Sequence, residues 1–212
     1  MLLGNLQTLI SEFYALELPY RVDDFVTTDA YLARVLDSGG RHVDEKLLIA
    51  EADGEAEVSL YLAQELLERL ERNDPFNRLD GGNLGDFWTA FEGVSHFIYY
   101  AWNAQREQAV TLLEMELQAE VDKFVATALL MLRQGQRGDA RGLHRWLFEL
   151  PKLDARLDGD ELDRYRRANR YAAKYCQRFM AARGPFDEPQ QSELRRFYRL
   201  SHASKIEHIE GQ

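Results

Sequence analysis

Glu92 and His96 stand four residues apart in the segment LGDFWTAFEGVSHFIYYAWNAQ, residues 84–105. On a helix, side chains at that spacing meet on one face, so the carboxylate can reach the imidazole or both can face one ion. They share a row with Tyr99 and Asn103, more than a quarter-turn from the apolar stripe of Leu84, Phe87, Trp88, Phe91, Ser95, Ile98 and Trp102. A metal site needs three or four ligands, and only two are visible here. A di-iron bundle would carry Glu-x-x-His on two helices, and neither copy is present. The sequence therefore assigns no metal and calls for no cofactor. The plain alternative is a Glu–His pair that caps the core or meets solvent.

Glu114 adds a second acid. The segment TLLEMELQAEVDKF places an apolar stripe at Val110, Leu113, Leu117, Val121, Phe124, Ala128 and Met131. By helical phase Glu114 lies inside that stripe and Glu120 at its edge. A carboxylate on a buried stripe is costly unless paired or protonated, and a raised pKa suits a general acid or base. The alternative is a partly exposed first-turn residue that favours the helix N-terminus. Glu92, His96 and Glu114 together form the candidate catalytic set of a helical-bundle acid/base or metal site. Glu116, Glu120 and Lys123 are expected on the surface, Lys123 offsetting the repulsion of the two glutamates.

A third group is cationic. Arg166, Arg167, Arg170, Lys174 and Arg178 fall on one side of a helix spanning residues 160–183. Tyr165, Ala168, Ala172, Tyr175, Cys176 and Phe179 fall on the other. The charge balance of the whole chain is split in the same sense. Residues 1–130 hold 24 Asp/Glu against 9 Lys/Arg, a net of −15, and residues 131–212 hold 12 against 17, a net of +5. The cationic row can bind a phosphorylated ligand or a nucleic-acid backbone. It can equally dock on the acidic part of the same chain or of a second copy. The net charge of −10 argues against a general nucleic-acid coat, so nucleic acid is not the expected partner. Arg133, Arg137, Arg141, Arg145, Arg195, Arg196 and Arg199 extend the positive region.

Other chemistry finds little support. The loop Asp80-Gly81-Gly82-Asn83-Leu84-Gly85 lacks the Lys-Ser/Thr of a phosphate-binding loop, and no serine lies in a Gly-x-Ser-x-Gly elbow. The single cysteine, Cys176, cannot form an internal disulfide and sits on an apolar face. The N-terminal MLLGNLQTLI lacks a positive region, and no apolar run reaches the roughly 18 residues of a membrane span. These features lead to the expectation of a cytoplasmic protein that does not engage a membrane.

The elements that must position these residues are mostly helical. Helices are expected over residues 2–18, 63–72, 84–105, 108–134, 143–148, 160–183 and 192–209, with Asn83 and Ser192 as caps. A short helix capped by Thr28 is expected before Gly39-Gly40. Residues 45–62 alternate around Asp53-Gly54, a favoured type I′ turn pair, so a hairpin should set Ile49 opposite Val58 and Leu47 opposite Leu60. Those four should bury one face. A lone hairpin is marginal, and residues 20–26 are the natural third strand. The fold class is thus mainly α, a helical bundle with a small antiparallel hairpin or three-stranded sheet near the N-terminus. One domain is expected over 1–212, with an α+β lobe at 1–75 and the bundle at 84–212. The functional expectation is a non-catalytic binding or adaptor protein acting through charge-complementary surfaces, its partner a second copy or another protein. An enzyme built on Glu92, His96 and Glu114, and a binder of phosphate or nucleic acid through residues 164–178, are the alternatives.

Overall fold

The structure is a computed structural model that describes residues 2–36, 43–52, 55–136, 140–150, 159–180 and 186–211. In chain order the elements are α1 (Leu2–Tyr14), β1 (Val26–Thr27), α2 (Ala30–Leu36), β2 (Glu45–Ala52) and β3 (Glu55–Leu62). Then follow α3 (Gln64–Arg72), α4 (Leu84–Ala104), α5 (Leu112–Arg133), α6 (Ala140–His144), α7 (Gly159–Cys176), α8 (Glu188–Tyr198) and α9 (His202–Glu210). The fold is mainly α with a small mixed sheet near the N-terminus, as its periodicities require.

The hairpin adopts the register set by its alternation, with Leu47 opposite Leu60 and Ile49 opposite Val58. The Asp53-Gly54 turn lies outside the described residues. Its burial departs from the one-face expectation. Leu60 and Leu62 are buried on one face, but Leu48 and Tyr61 are buried on the other, and Ile49 is exposed. Among the described residues, α4 and α2 both pack against the hairpin. The third strand shrinks to Val26–Thr27, because Val22–Phe25 wind into a 3-10 turn. It pairs parallel to β3, in the order β1-β3-β2.

Several helix ends are made by other residues than the spacing suggests. Asp29, and not Thr28, accepts the Tyr31 and Leu32 amides at the start of α2. Asn83 holds the loop instead of capping α4: its side chain accepts from the Asp80 amide and donates to the carbonyls of Asn73 and Arg78. The last helix is two. Asp187 and Gln190 form a reciprocal capping box that starts α8, and Ser201 caps α9 after a break at Leu200. Arg195 of α8 and Arg199 at its C-cap donate to the Phe13, Tyr14 and Ala15 carbonyls, so two cations of the basic half satisfy the C-terminus of α1.

Helix α4 sits at the centre. Phe87, Phe91 and Phe97 are all buried on it, and its neighbours are α1, α3, α5 and the sheet. From Gly93 to Tyr99 every residue of α4 is buried, so over that stretch the helix has no solvated face. The sheet approaches it at Gly93, where a Cβ would meet Glu45 Cγ at 2.6 Å and Leu60 Cδ1 at 2.8 Å. Among the described residues, no helix is long and apolar enough to cross a membrane.

Gly93→Ala is therefore expected to lower stability by about 1–3 kcal/mol, the range for overpacking a filled interior. Denaturant unfolding of the two proteins checks this; an unchanged midpoint would mean that the sheet has room to retreat.

Candidate functional site

The seam between α4 and α5 carries two polar clusters. The first joins Glu92 and His96 of α4, Glu116, Glu120 and Lys123 of α5, Glu45 of β2 and Arg164 of α7. His96 is central, with its side chain 8 % exposed. Its Nε2 faces Glu116 Oε2 at 3.4 Å and its Nδ1 faces Glu45 Oε1 at 3.6 Å. Lys123 Nζ donates to Glu92 Oε2 at 2.9 Å and to Glu120 Oε1 at 2.8 Å. Arg164 Nε lies 3.6 Å from Glu116 Oε1. One ligand atom from each of Glu92, His96 and Glu116 lies within 4.8 Å of the other two. This cluster is under-bonded. His96 Nε2, Glu45 Oε1, Glu120 Oε2 and Arg164 Nε are buried without a hydrogen-bond partner.

The electrostatics follow from crowding acids in a dry seam. Burial raises the Glu45 and Glu120 carboxyls. It would raise Glu92 too, but Lys123 and then His96 outweigh it, and Glu92 is held below the usual range. Burial disfavours a charged His96, yet Glu116 and Glu45 overcome this and lift it well above an ordinary histidine. Burial also opposes the Lys123 charge, which Glu120 and Glu92 preserve. The Tyr165 phenol is raised by burial and then by Glu116, Glu92 and Glu45, so it lies in the field of the same cluster.

The second cluster lies further along the seam and is fully bonded. Lys205 of α9 is completely buried; its Nζ donates to Tyr99 Oη at 2.9 Å and to Gln118 Oε1 at 2.6 Å. Tyr99 Oη donates to Glu114 at 2.6 Å. Gln118 Nε2, Tyr14 Oη and Ser95 Oγ all donate to Asp122. Each carboxylate is thus separated from the ammonium by one neutral bridging group. Burial lowers the Lys205 pKa to about 7, against the pull of Glu114 and Asp122.

The sequence-derived set of Glu92, His96 and Glu114 divides between the clusters. Glu92 and His96 come together as their spacing implies. Glu114 is both buried, as its phase implies, and in the first turn of α5, where its amide donates to Thr111 Oγ1. Its side chain, however, bonds Tyr99 in the second cluster. Glu116, Glu120 and Lys123 correct the surface expectation: Glu116 is buried between His96 of α4 and Arg164 of α7, Lys123 is buried against Glu92 of α4, and Glu120 is partly buried beside Lys123. Glu45, Arg164 and Lys205 were not singled out. Glu45 has no local signal, whereas Lys205 falls four residues before the buried Ile209 and so shares its face.

Of the cationic row, Arg166, Arg167, Arg170 and Lys174 are exposed. Arg167 reaches Asp163 of its own helix at 4.0 Å, and Arg178 pairs with Glu193 and His208. An ion pair between the two halves is made instead by Arg164 and Glu116. A cleft of about 610 Å³ opens near Leu79, Leu84, Met131, Leu143 and Trp146. Its polar side chains Gln134 and Gln136 are already bonded to the Leu79 and Pro75 backbone. No family model, curated protein or solved structure matches this chain, so its chemistry is read from these contacts alone.

Lys205 generates a pH prediction. An unfolded lysine titrates near pH ~10.4, and the folded one near 7, so between these values only the unfolded chain keeps the proton. Stability should then rise with pH across that window, by up to about 1.4 kcal/mol per unit. Lys205→Met should lose this contribution. Denaturant unfolding of both proteins from neutral to alkaline pH measures it, and parallel profiles would refute it.

Proposed function

We propose that the protein is a metal-dependent enzyme whose one divalent ion is held by Glu92, His96 and Glu116. The His96 ring carries this reading. Its Nδ1 is backed by a carboxylate, Glu45, at 3.6 Å, while its Nε2 is buried, has no hydrogen bond and faces Glu116 Oε2 at 3.4 Å. In a metal-bound histidine one nitrogen is on the ion and the other faces a carboxylate, and His96 has an acid on each of these two sides. Two ligands about 2.1 Å from a tetrahedral ion stand roughly 3.4 Å apart, the separation of His96 and Glu116.

Charge supports the same assignment. With all four ionised, Glu45, Glu92, Glu116 and Glu120 would face two permanent cations, Lys123 and Arg164, an excess of two negative charges. One divalent ion beside a neutral imidazole cancels it. In the ion-free chain the two carboxylates keep His96 protonated, and the ion takes that proton's place. One nitrogen and two carboxylate oxygens suit Mn(II), Fe(II) or Zn(II) better than a thiol-seeking ion. Three protein ligands leave a coordination position for water, the mark of a catalytic centre and not a structural one. The reaction class this favours is attack by metal-activated water.

Equilibrium dialysis of the purified protein against Zn(II) or Mn(II) should give stoichiometric binding. His96→Ala should abolish it, and Glu45→Gln should weaken it by about 10- to 100-fold, the usual effect of removing a carboxylate behind a ligating histidine. Failure of the wild type to bind either ion, or binding unchanged in His96→Ala, would reject the proposal.

The exposed row of Arg166, Arg167, Arg170 and Lys174 supports a second role, as a docking surface for the acidic face of another protein or a second copy. Such contacts weaken over a Debye length of about 8 Å at physiological salt. Reversing Arg167 and Arg170 to Glu should shift the oligomer distribution seen by native mass spectrometry at low salt. Tight nucleic-acid binding that the reversal abolishes would replace this role with the nucleic-acid alternative.

A further inference from the structure

Lys123 is a cation that the chain places inside the candidate centre. Its side chain is 8 % exposed, and Nζ stands 2.9 Å from Glu92 Oε2 and 2.8 Å from Glu120 Oε1. Glu92 is also one of the three side chains whose ligand atoms converge with His96 and Glu116. It therefore lies between two cation positions, one filled by an ammonium and the other available to an ion. A shared carboxylate of this kind joins the ions of two-metal centres, which stand about 3.5–4 Å apart. The far side of the Lys123 position is supplied by Glu120, whose Oε2 is buried and makes no hydrogen bond. Both groups around Nζ are thus carboxylates, one with a spare oxygen, which is a donor set for a hard divalent ion.

Resting on the metal-binding reading above, we propose that Lys123 occupies the second cation position of a carboxylate-bridged centre and so holds that centre to one metal ion. The ammonium neutralises Glu92 and Glu120 but has no vacant orbital, so it cannot take a substrate oxygen or a water as an inner-sphere ligand and acts on them only as a charge and hydrogen-bond donor. Lewis-acid chemistry is confined to the ion at Glu92, His96 and Glu116, with Lys123 as a fixed charge beside it. Removing the lysine raises the uncompensated charge by one and frees Glu92 Oε2 and Glu120 Oε1 together. A second divalent ion then has two carboxylates to bind and the charge to attract it.

The test uses Mn(II), with the metal-to-protein ratio measured after equilibrium dialysis and the bound ions examined by electron paramagnetic resonance. The wild type should hold one ion with the six-line spectrum of isolated Mn(II). Lys123→Ala should hold two, with the broadened spectrum of a coupled pair. Lys123→Arg, which keeps the charge, should remain at one. If Lys123→Ala does not fold, Lys123→Gln removes the charge while keeping a hydrogen-bond donor, and it too should hold two. A folded neutral variant with any ratio other than two overturns the inference while leaving the metal site standing. Two ions in the wild type or in Lys123→Arg overturn it as well. A wild type that binds no ion defeats the metal-binding reading itself.

Discussion

A carboxylate between two packed helices costs several kcal/mol in lost hydration unless other charges or donors meet it. The seam of α4 and α5 holds Glu92, Glu114, Glu116, Glu120 and Asp122, and the two helices alone cannot answer them. They supply His96, Lys123, Tyr99, Ser95 and Gln118. The remaining donors come from elsewhere in the chain, Tyr14 from α1, Arg164 from α7 and Lys205 from α9, while Glu45 of β2 adds a further acid against His96. Each distant element is therefore tied to the centre by a polar contact as well as by apolar burial. Hydrophobic packing alone tolerates small shifts, whereas a buried lysine that bonds two named oxygens admits one placement of its helix.

The two clusters meet the same electrostatic problem in different ways, and the difference is what supports the metal-binding proposal. Around Lys205 every charge has a bonded neighbour, and Tyr99 and Gln118 pass the interaction from ammonium to carboxylate. That network is complete without an added atom. Around His96 the contacts are 3.4–3.6 Å, and four buried polar atoms lack partners. An interior does not hold such atoms without cost, and a site that binds a ligand or ion is where the cost is recovered.

The sequence made the seam legible only in part. Glu92 with His96 was visible because four residues is a helical repeat, and the burial of Glu114 because it fell within an apolar stripe. Both signals are local. Glu116 and Lys123 were misplaced because a single stripe assumes one buried face, and α5 is enclosed by α4 and α7 alike. The hairpin register was readable from alternation, yet its burial was not, since α2 and α4 both pack against it. Glu45 is the clearest limit. It sits at the first position of a strand, 51 residues from His96, and no periodicity relates them. Arg164 and Lys205 joined the seam through packing of α7 and α9, which charge counting assigned only to a general attraction between halves.

Gly93 shows how closely the core and the site are linked. It follows Glu92 directly and lies three residues before His96, on the part of α4 that meets the sheet. The absent Cβ lets Leu60 and the stem of Glu45 come within 3 Å of where that atom would stand. The approach that buries Leu60 is the same approach that brings Glu45 Oε1 to His96 Nδ1. A larger residue would push β2 outward and withdraw the carboxylate from the ring. The imidazole would then keep Glu116 on α5 and lose the acid that faces its Nδ1. The acid that faces the Nδ1 side of His96 is thus brought there by the close packing of a strand against a glycine.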